Sequence, residues 1–236
     1  MARRLLLLSN STSYGQGYLD HAADEIEDFL GHVRRLLFVP FAVADQAAYG
    51  SRVRERFLRL GREVDRIPAD PATARSVVEG AEAVFVGGGN TFRLLDLVRR
   101  YRLIEPLRGS VARGVPYIGS SAGTVIAAPT LQTTNDMPIV CPESFESLGL
   151  VPFHCNCHYQ DPYPSSRHMG ETREERLMEF HEENERPVVG LREGSWLRIE
   201  GDRAVLGGRP GARVFRRGLS PEEFPPGGDL SLLLHA

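Results

Sequence analysis

Residues 119–123 read Gly119-Ser120-Ser121-Ala122-Gly123, a serine enclosed by small residues between an apolar run ending at Ile118 and the helical pattern Ala122–Ala128. A serine becomes a usable nucleophile when a sharp strand-to-helix turn lifts its hydroxyl out of a sheet, and the flanking glycines allow that turn without a side-chain clash. The chemistry would be acyl transfer: Ser121 attacks a carbonyl, and the Ala122 amide at the helix N-terminus donates to the developing oxyanion. Ser120 is a nucleophile by residue type, but the glycine spacing favours Ser121. An ordinary Gly/Ser loop has the same composition, so the motif needs partners.

One partner is a second glycine turn, Gly87-Gly88-Gly89-Asn90, also between a strand and a helix. It could cradle a phosphate, which keeps a nucleotide-binding flavodoxin-like protein as a rival. A dinucleotide fingerprint needs spaced glycines and a later acidic residue, and this run lacks that spacing. Three bare amides suit the second half of an oxyanion hole.

The base should be a histidine at a strand end. His21, His32 and His181 fall in helical patterns, His235 in the tail and His168 in a loop. His154 and His158 remain, in Phe153-His154-Cys155-Asn156-Cys157-His158-Tyr159. Two cysteines and two histidines this close raise a metal site. Strand alternation, however, puts 154, 156 and 158 on one face and 155 and 157 on the other. With no second ligand cluster elsewhere, no metal is expected. His158, nearest the strand end, is the better general base. Asp136 and Glu193 both qualify as the acid that orients its imidazole, and residue order does not rank them. Arg173 opens a helix capped by Thr172, where the dipole disfavours a cation. Together, Arg173 and that helix end could hold a carboxylate.

These groups must be positioned by a scaffold. Leu5–Leu8, Leu36–Val39, Val64–Ile67, Ala83–Val86 and Val115–Ile118 read as buried strands. Helical spacing joins Tyr18 to Leu30, Tyr49 to Leu60, and Thr91 to Val98. Strand–helix alternation predicts a single α/β domain over residues 1–236, a doubly wound, mainly parallel sheet with helices on both faces. Leu150–Cys155 and Val188–Leu191 are further strands, with a helix between them whose Thr172 and Glu175 form a capping box. Trp196–Ile199, Ala204–Leu206 and Arg213–Phe215 predict a small antiparallel C-terminal appendage. The segment Pro225–Gly228 reads as loose. In a parallel sheet, functional groups collect beyond the carboxyl ends of the strands. Gly87–Asn90, Ser121, His158 and Glu193 all follow predicted strands, so four loops should meet on one edge.

Composition narrows the classes. Hydrophobic residues make up 42% and charged residues 25%, enough for a sizeable core. A net charge of -3 gives no reason to expect nucleic acid or an anionic membrane. Every basic residue is Arg, which excludes a lysine nucleophile, Schiff base or phosphate-loop lysine. Four leucines are too few for a signal-peptide core, and no run approaches a membrane span. Three cysteines, Cys141, Cys155 and Cys157, fit reduced thiols and a cytoplasmic location.

Several stretches resemble the peptidase E family of aspartyl dipeptidases. They are Leu5–Thr12, Gly87–Phe92, the Ser-Ala-Gly around Ser121, Thr133-Thr134-Asn135-Asp136-Met137-Pro138, Gly170–Arg173, Gly190–Gly194 and Val205–Gly208, in order along the chain. The resemblance implies a fold like that of class I glutamine amidotransferases. It also implies a serine-type dipeptidase that hydrolyses dipeptides with an N-terminal aspartate, without a cofactor. By that resemblance Ser121 is the nucleophile, His158 the base, and Asp136 and Glu193 both fall on positions proposed for the third role. Gly89 and Ala122 would supply oxyanion amides, Arg173 would bind the aspartate side chain, and Asn90 and Asn10 would line the pocket. Two positions depart from the family pattern: Ser120 replaces a frequent aromatic, and Cys157 replaces a frequent proline. A cyanophycinase-like peptidase is the nearest alternative enzyme. The partner expected is a small peptide, with a homodimer compatible with the sequence.

Overall fold

Four consecutive leucines can all be buried only where a strand is covered on both faces, and the chain places them there. In the computed structural model, which describes residues 3–162 and 169–235, strand β1 (Arg4–Leu8) lies inside a seven-stranded sheet. Side chains alternate along it: Leu5 and Leu7 pack into one core, Leu6 and Leu8 into the other. Helix α1 (Ala23–Leu30) covers the second face. Strand β2 (Arg35–Val39) then leads to α2 (Gln46–Arg59), capped by Asp45. Strand β3 (Glu63–Arg66) leads to α3 (Pro71–Glu79), and β4 (Val84–Val86) to α4 (Thr91–Arg100). Helix α5 (Ile104–Ala112) precedes β5 (Tyr117–Ser120) and the short α6 (Ala122–Val125).

Beyond the loop that follows α6 come β6 (His154–Tyr159), α7 (Arg173–Glu183) and β7 (Val188–Arg192). The chain continues through β8 (Ser195–Glu200), β9 (Arg203–Gly208), β10 (Ala212–Phe215) and β11 (Glu222–Phe224). The main sheet runs β3-β2-β4-β5-β1-β8-β9, its first five strands parallel and its last two antiparallel. A second sheet runs β11-β10-β7-β6, in which β6 and β7 are parallel.

The fold is the predicted α/β sheet, with three differences in detail. The antiparallel C-terminal strands are divided between the sheets: β8 and β9 extend the main sheet beside β1, while β10 pairs with β7. The strand read at Leu150–Cys155 lies at His154–Tyr159 instead, since its polar side chains are buried by hydrogen bonding rather than by hydropathy. The Pro225–Gly228 segment is tied to β9, with Leu206 N donating to Gly228 O at 2.9 Å and Gly227 N to Leu206 O at 2.7 Å. No helix among the described residues is long and apolar enough to cross a membrane.

Candidate active site

Strand β5 ends at Ser120, and the next residue turns with φ 50° and ψ −109°. A residue other than glycine pays energy for such a backbone unless its surroundings over-determine it. Here the Ser121 amide donates to Leu8 O at 3.0 Å, and its carbonyl accepts from Thr124 N at 2.8 Å and Val125 N at 2.9 Å. A Cβ at position 119 would sit 2.6 Å from Gly123 O, so the small flanking residues are a steric requirement of the turn. Ser120 is fully buried, and Ser121 faces the cavity.

His158 reaches Ser121 through an interruption of its strand. Pairing of β6 with β7 shifts between Asn156 and Tyr159, and His158 has φ 54°. The predicted alternation therefore fails at this residue. Cys157 Sγ lies 3.5 Å from Ser121 O, and the next side chain also turns to the serine. His158 Nε2 is 2.9 Å from Ser121 Oγ, and Nδ1 is 2.7 Å from Glu193 Oε1. An ionised carboxylate only accepts, so Nδ1 carries the proton and Nε2 is left to accept from the serine hydroxyl.

The segment after β1 braces both partners. Ser9 Oγ accepts from His158 N at 3.0 Å and donates to Leu191 O at 2.8 Å, joining the irregular end of β6 to β7. Asn10, also buried, accepts from Gly194 N at 2.8 Å and so fixes the turn that carries Glu193. The family resemblance singles out Asn10, but the bracing by Ser9 is missed, its own signal being a polar residue directly after four leucines.

Of the amides in the second glycine turn, Gly87 donates to Val39 O, Gly88 to Tyr49 Oη and Asn90 to Ala42 O. Among the described residues, the Gly89 and Ala122 amides have no protein acceptor. Gly89 has φ 136°, and an added Cβ would meet Ala42 O, so no other residue fits there without a shift. The cavity in front of these groups has a volume of about 610 Å³ and is lined by Tyr18, Tyr49, Gly88, Gly89, Ser121 and His158, among others. A larger surface cavity around Arg34, Arg62 and Glu82 lies at the amino ends of the strands and includes neither Ser121 nor His158.

Asp136 borders the first cavity but does not touch His158. Its Oδ2 accepts from Thr91 N at 2.7 Å, Thr91 Oγ1 at 2.6 Å and Thr134 Oγ1 at 3.2 Å, which anchors the first turn of α4. Asn90 caps the same helix through Arg93 N and donates to Met137 O at 2.8 Å. Arg173 begins α7, whose capping box of Thr172 and Glu175 is formed as the sequence predicted. Its Nη1 donates to Asn135 Oδ1 at 2.7 Å, and Asn135 Nδ2 donates in turn to Cys157 O. Burial and the nearby Arg176 pull the Arg173 guanidinium below its ordinary pKa, the sign of a cation without a carboxylate beside it.

The other sulfur and imidazole groups are placed differently. Burial pushes the Cys155 thiol up to about 12 and raises Cys157 as well, so both stay protonated. His154 is buried edge-on to Phe180, and burial lowers its pKa to about 4. Among the described residues no three His, Cys, Asp or Glu side chains are grouped to hold a metal ion. His168 lies outside the described residues.

A model of peptidase family S51 matches residues 5–207. Peptidase E of Streptomyces coelicolor is 59% identical over 232 residues, covering 98% of this chain and 94% of its own. A Drosophila melanogaster protein named a probable alpha-aspartyl dipeptidase is 47% identical over 236 residues, covering 99% of this chain and 98% of its own. The crystal structure of a peptidase from an acI-B1 Actinobacterium superposes with a TM-score of 0.74 at 16% identity, over 98% of this chain and 97% of that one. That likeness shows the fold.

Proposed function

The chain belongs to peptidase family S51, and on that premise we propose that it hydrolyses dipeptides with an N-terminal aspartate through Ser121, His158 and Glu193. The observation that carries this reading is the hydrogen-bonded line from Ser121 Oγ through both His158 nitrogens to Glu193, at 2.9 and 2.7 Å, opening on a cavity. Ser121 gives its proton to His158 Nε2 as Oγ attacks the carbonyl carbon of the N-terminal residue. The Gly89 and Ala122 amides hold the oxyanion. The protonated His158 then delivers that proton to the leaving nitrogen, and the C–N bond breaks. Water, deprotonated by His158, attacks the acyl-enzyme and releases aspartate and free Ser121. No cofactor takes part in any step.

Glu193 rather than Asp136 orients the imidazole, because the Asp136 oxygen with partners is committed to Thr91 and Thr134. The other oxygen, Oδ1, has no partner among the described residues and supplies negative charge for the substrate's ammonium group. Arg173, with the N-terminus of α7 behind it, binds the aspartate carboxylate as a fork. Asn90 and Asn10 serve by holding loops. The reaction needs neither nucleic acid nor membrane, and the free thiols fit a cytoplasmic setting.

The test is hydrolysis of Asp-Leu beside Asn-Leu, Glu-Leu and Ala-Leu by wild type, Ser121→Ala and Arg173→Ala. Cleavage confined to Asp-Leu, lost in Ser121→Ala and weakened in Arg173→Ala, is expected. Asp-Leu cleavage that survives Ser121→Ala would overturn the mechanism. Equal cleavage of all four would remove the aspartate pocket.

A further inference from the structure

A dipeptide with an N-terminal aspartate carries two carboxylates, and Arg173 accounts for one. Helix α2 presents Asp45, Ala48, Tyr49 and Arg52 to the cavity that holds Ser121 and His158, at the i, i+3, i+4, i+7 spacing of a single helix face. The first three already have duties or packing: Asp45 caps the helix through Ala48 N at 2.9 Å, and Tyr49 Oη accepts from Gly88 N at 3.0 Å. Arg52 has none. Glu55, on the next turn, is taken by Arg59, and Arg56 is paired with Asp20. Among the described residues Arg52 makes neither an ion pair nor a hydrogen bond, yet its charge acts on the phenols of both Tyr18 and Tyr49 at the cavity wall.

The position matches the leaving side of the reaction. Arg173 is reached through Asn135 beside the Cys157 carbonyl and does not line this cavity, so the side-chain carboxylate of the substrate aspartate lies toward α7, while its ammonium group meets Asp136 at the cavity wall. The leaving residue must depart past His158, which protonates its nitrogen, and the cavity that holds His158 is also lined by Tyr18, Val43, Ala48, Tyr49 and Arg52. Resting on the activity proposed above, we infer that Arg52 binds the free α-carboxylate of the leaving residue and thereby selects dipeptides over longer or amidated peptides. Adding one residue carries the terminal carboxylate about 3.5 Å further along an extended chain, beyond a cation placed for the shorter substrate.

The test compares Asp-Leu, Asp-Leu amide and Asp-Leu-Leu with wild type, Arg52→Ala and Arg52→Lys. Wild type should favour Asp-Leu over its amide by about tenfold in kcat/KM, chiefly through KM, as for a charge-assisted contact at a solvent-facing site. In Arg52→Ala that ratio should fall to about one, and Arg52→Lys should restore part of it. Exposed on a helix, the alanine variant is expected to fold, and an unchanged melting temperature checks this. A preference that persists in Arg52→Ala, or an equal loss on Asp-Leu and its amide, overturns the assignment of Arg52 alone. Failure of wild type to cleave any of the three overturns the aspartyl dipeptidase reading itself, and this assignment with it.

Discussion

Replacing Glu193 and Asp136 separately by alanine should produce two different injuries, because the two carboxylates hold different things. Glu193 Oε1 is 2.7 Å from His158 Nδ1, with side-chain exposures of 52% and 41%. When the imidazole becomes cationic in the transition state, a unit charge about 4 Å away contributes about 1 kcal/mol in water and about 4 kcal/mol at an effective dielectric of 20. Half-exposure puts the pair between these limits, at about 2–3 kcal/mol, or roughly a hundredfold in kcat. The ring also loses the group that fixes its tautomer, which adds to the loss. Folding stability should hardly move, since an exposed pair contributes about 0–1 kcal/mol.

Asp136 is the reverse case. Its three contacts to Thr91 and Thr134 leave with it, and the amide of Thr91, a buried residue, is orphaned. An unsatisfied buried group costs about 1–3 kcal/mol, and about 2 kcal/mol lowers the melting temperature of a chain this long by about 4–8 °C. Thermal unfolding and initial rates on Asp-Leu for both variants settle the matter. Glu193→Ala should lose about a hundredfold in kcat at an almost unchanged melting temperature. Asp136→Ala should melt earlier, raise KM by removing the proposed partner of the substrate's ammonium group, and keep most of kcat. The reverse result, with kcat retained without Glu193 and abolished without Asp136 at unchanged stability, would refute the assignment of the third member.

Three further outcomes follow from the same geometry. Gly123→Ala puts a Cβ against the Val86 carbonyl, where neither backbone can yield, and should destabilise by about 1–3 kcal/mol or prevent folding, read by urea titration. Ser9→Ala leaves His158 N and Leu191 O unpaired behind the proposed general base, and should lower kcat about tenfold with KM little changed, as for a positioning residue. His154 has a folded pKa lowered to about 4, by burial first and then by Arg186, against about 6.5 when unfolded. The unfolded chain then binds more protons, so stability is full above pH 6.5 and falls between pH 6.5 and 4, by up to about 3 kcal/mol. Urea midpoints at pH 7 and 5 should differ less in His154→Phe than in wild type.

How much of this could be read from residue order depends on what buries each segment. Leu5–Leu8 is legible because both faces of β1 are apolar, and hydropathy alone marks it. The capping box on α7 is legible because Thr172 and Glu175 act within one turn, and no distant contact decides it. Strand β6 escapes such reading: Asn156 is buried by donating to Thr133 O and Asn135 Oδ1, partners twenty-odd residues away that no local pattern announces. Helices α3 and α5 escape it too. In α5, Pro106 and Gly109 resemble loop punctuation, although a proline in the first turn loses only an amide that has no helical partner.

The site divides along the same line. Ser121 is marked by its own neighbours, since the sharp turn demands small residues at fixed spacing. The choice between Asp136 and Glu193 has no local mark, because both are acidic residues in loops and neither has a neighbour in sequence that ties it to His158. What separates them is an irregularity of β6 that alternation forbids. With regular pairing throughout β6, His158 would lack the left-handed φ of 54° that turns its imidazole between Ser121 and Glu193. That backbone is costly for a non-glycine residue, and it is retained because Ser9 gives the displaced amide an acceptor while holding the adjacent strand. The position of His158 is therefore set by the residue after β1 as much as by its own strand, and a reading strand by strand misses it for that reason.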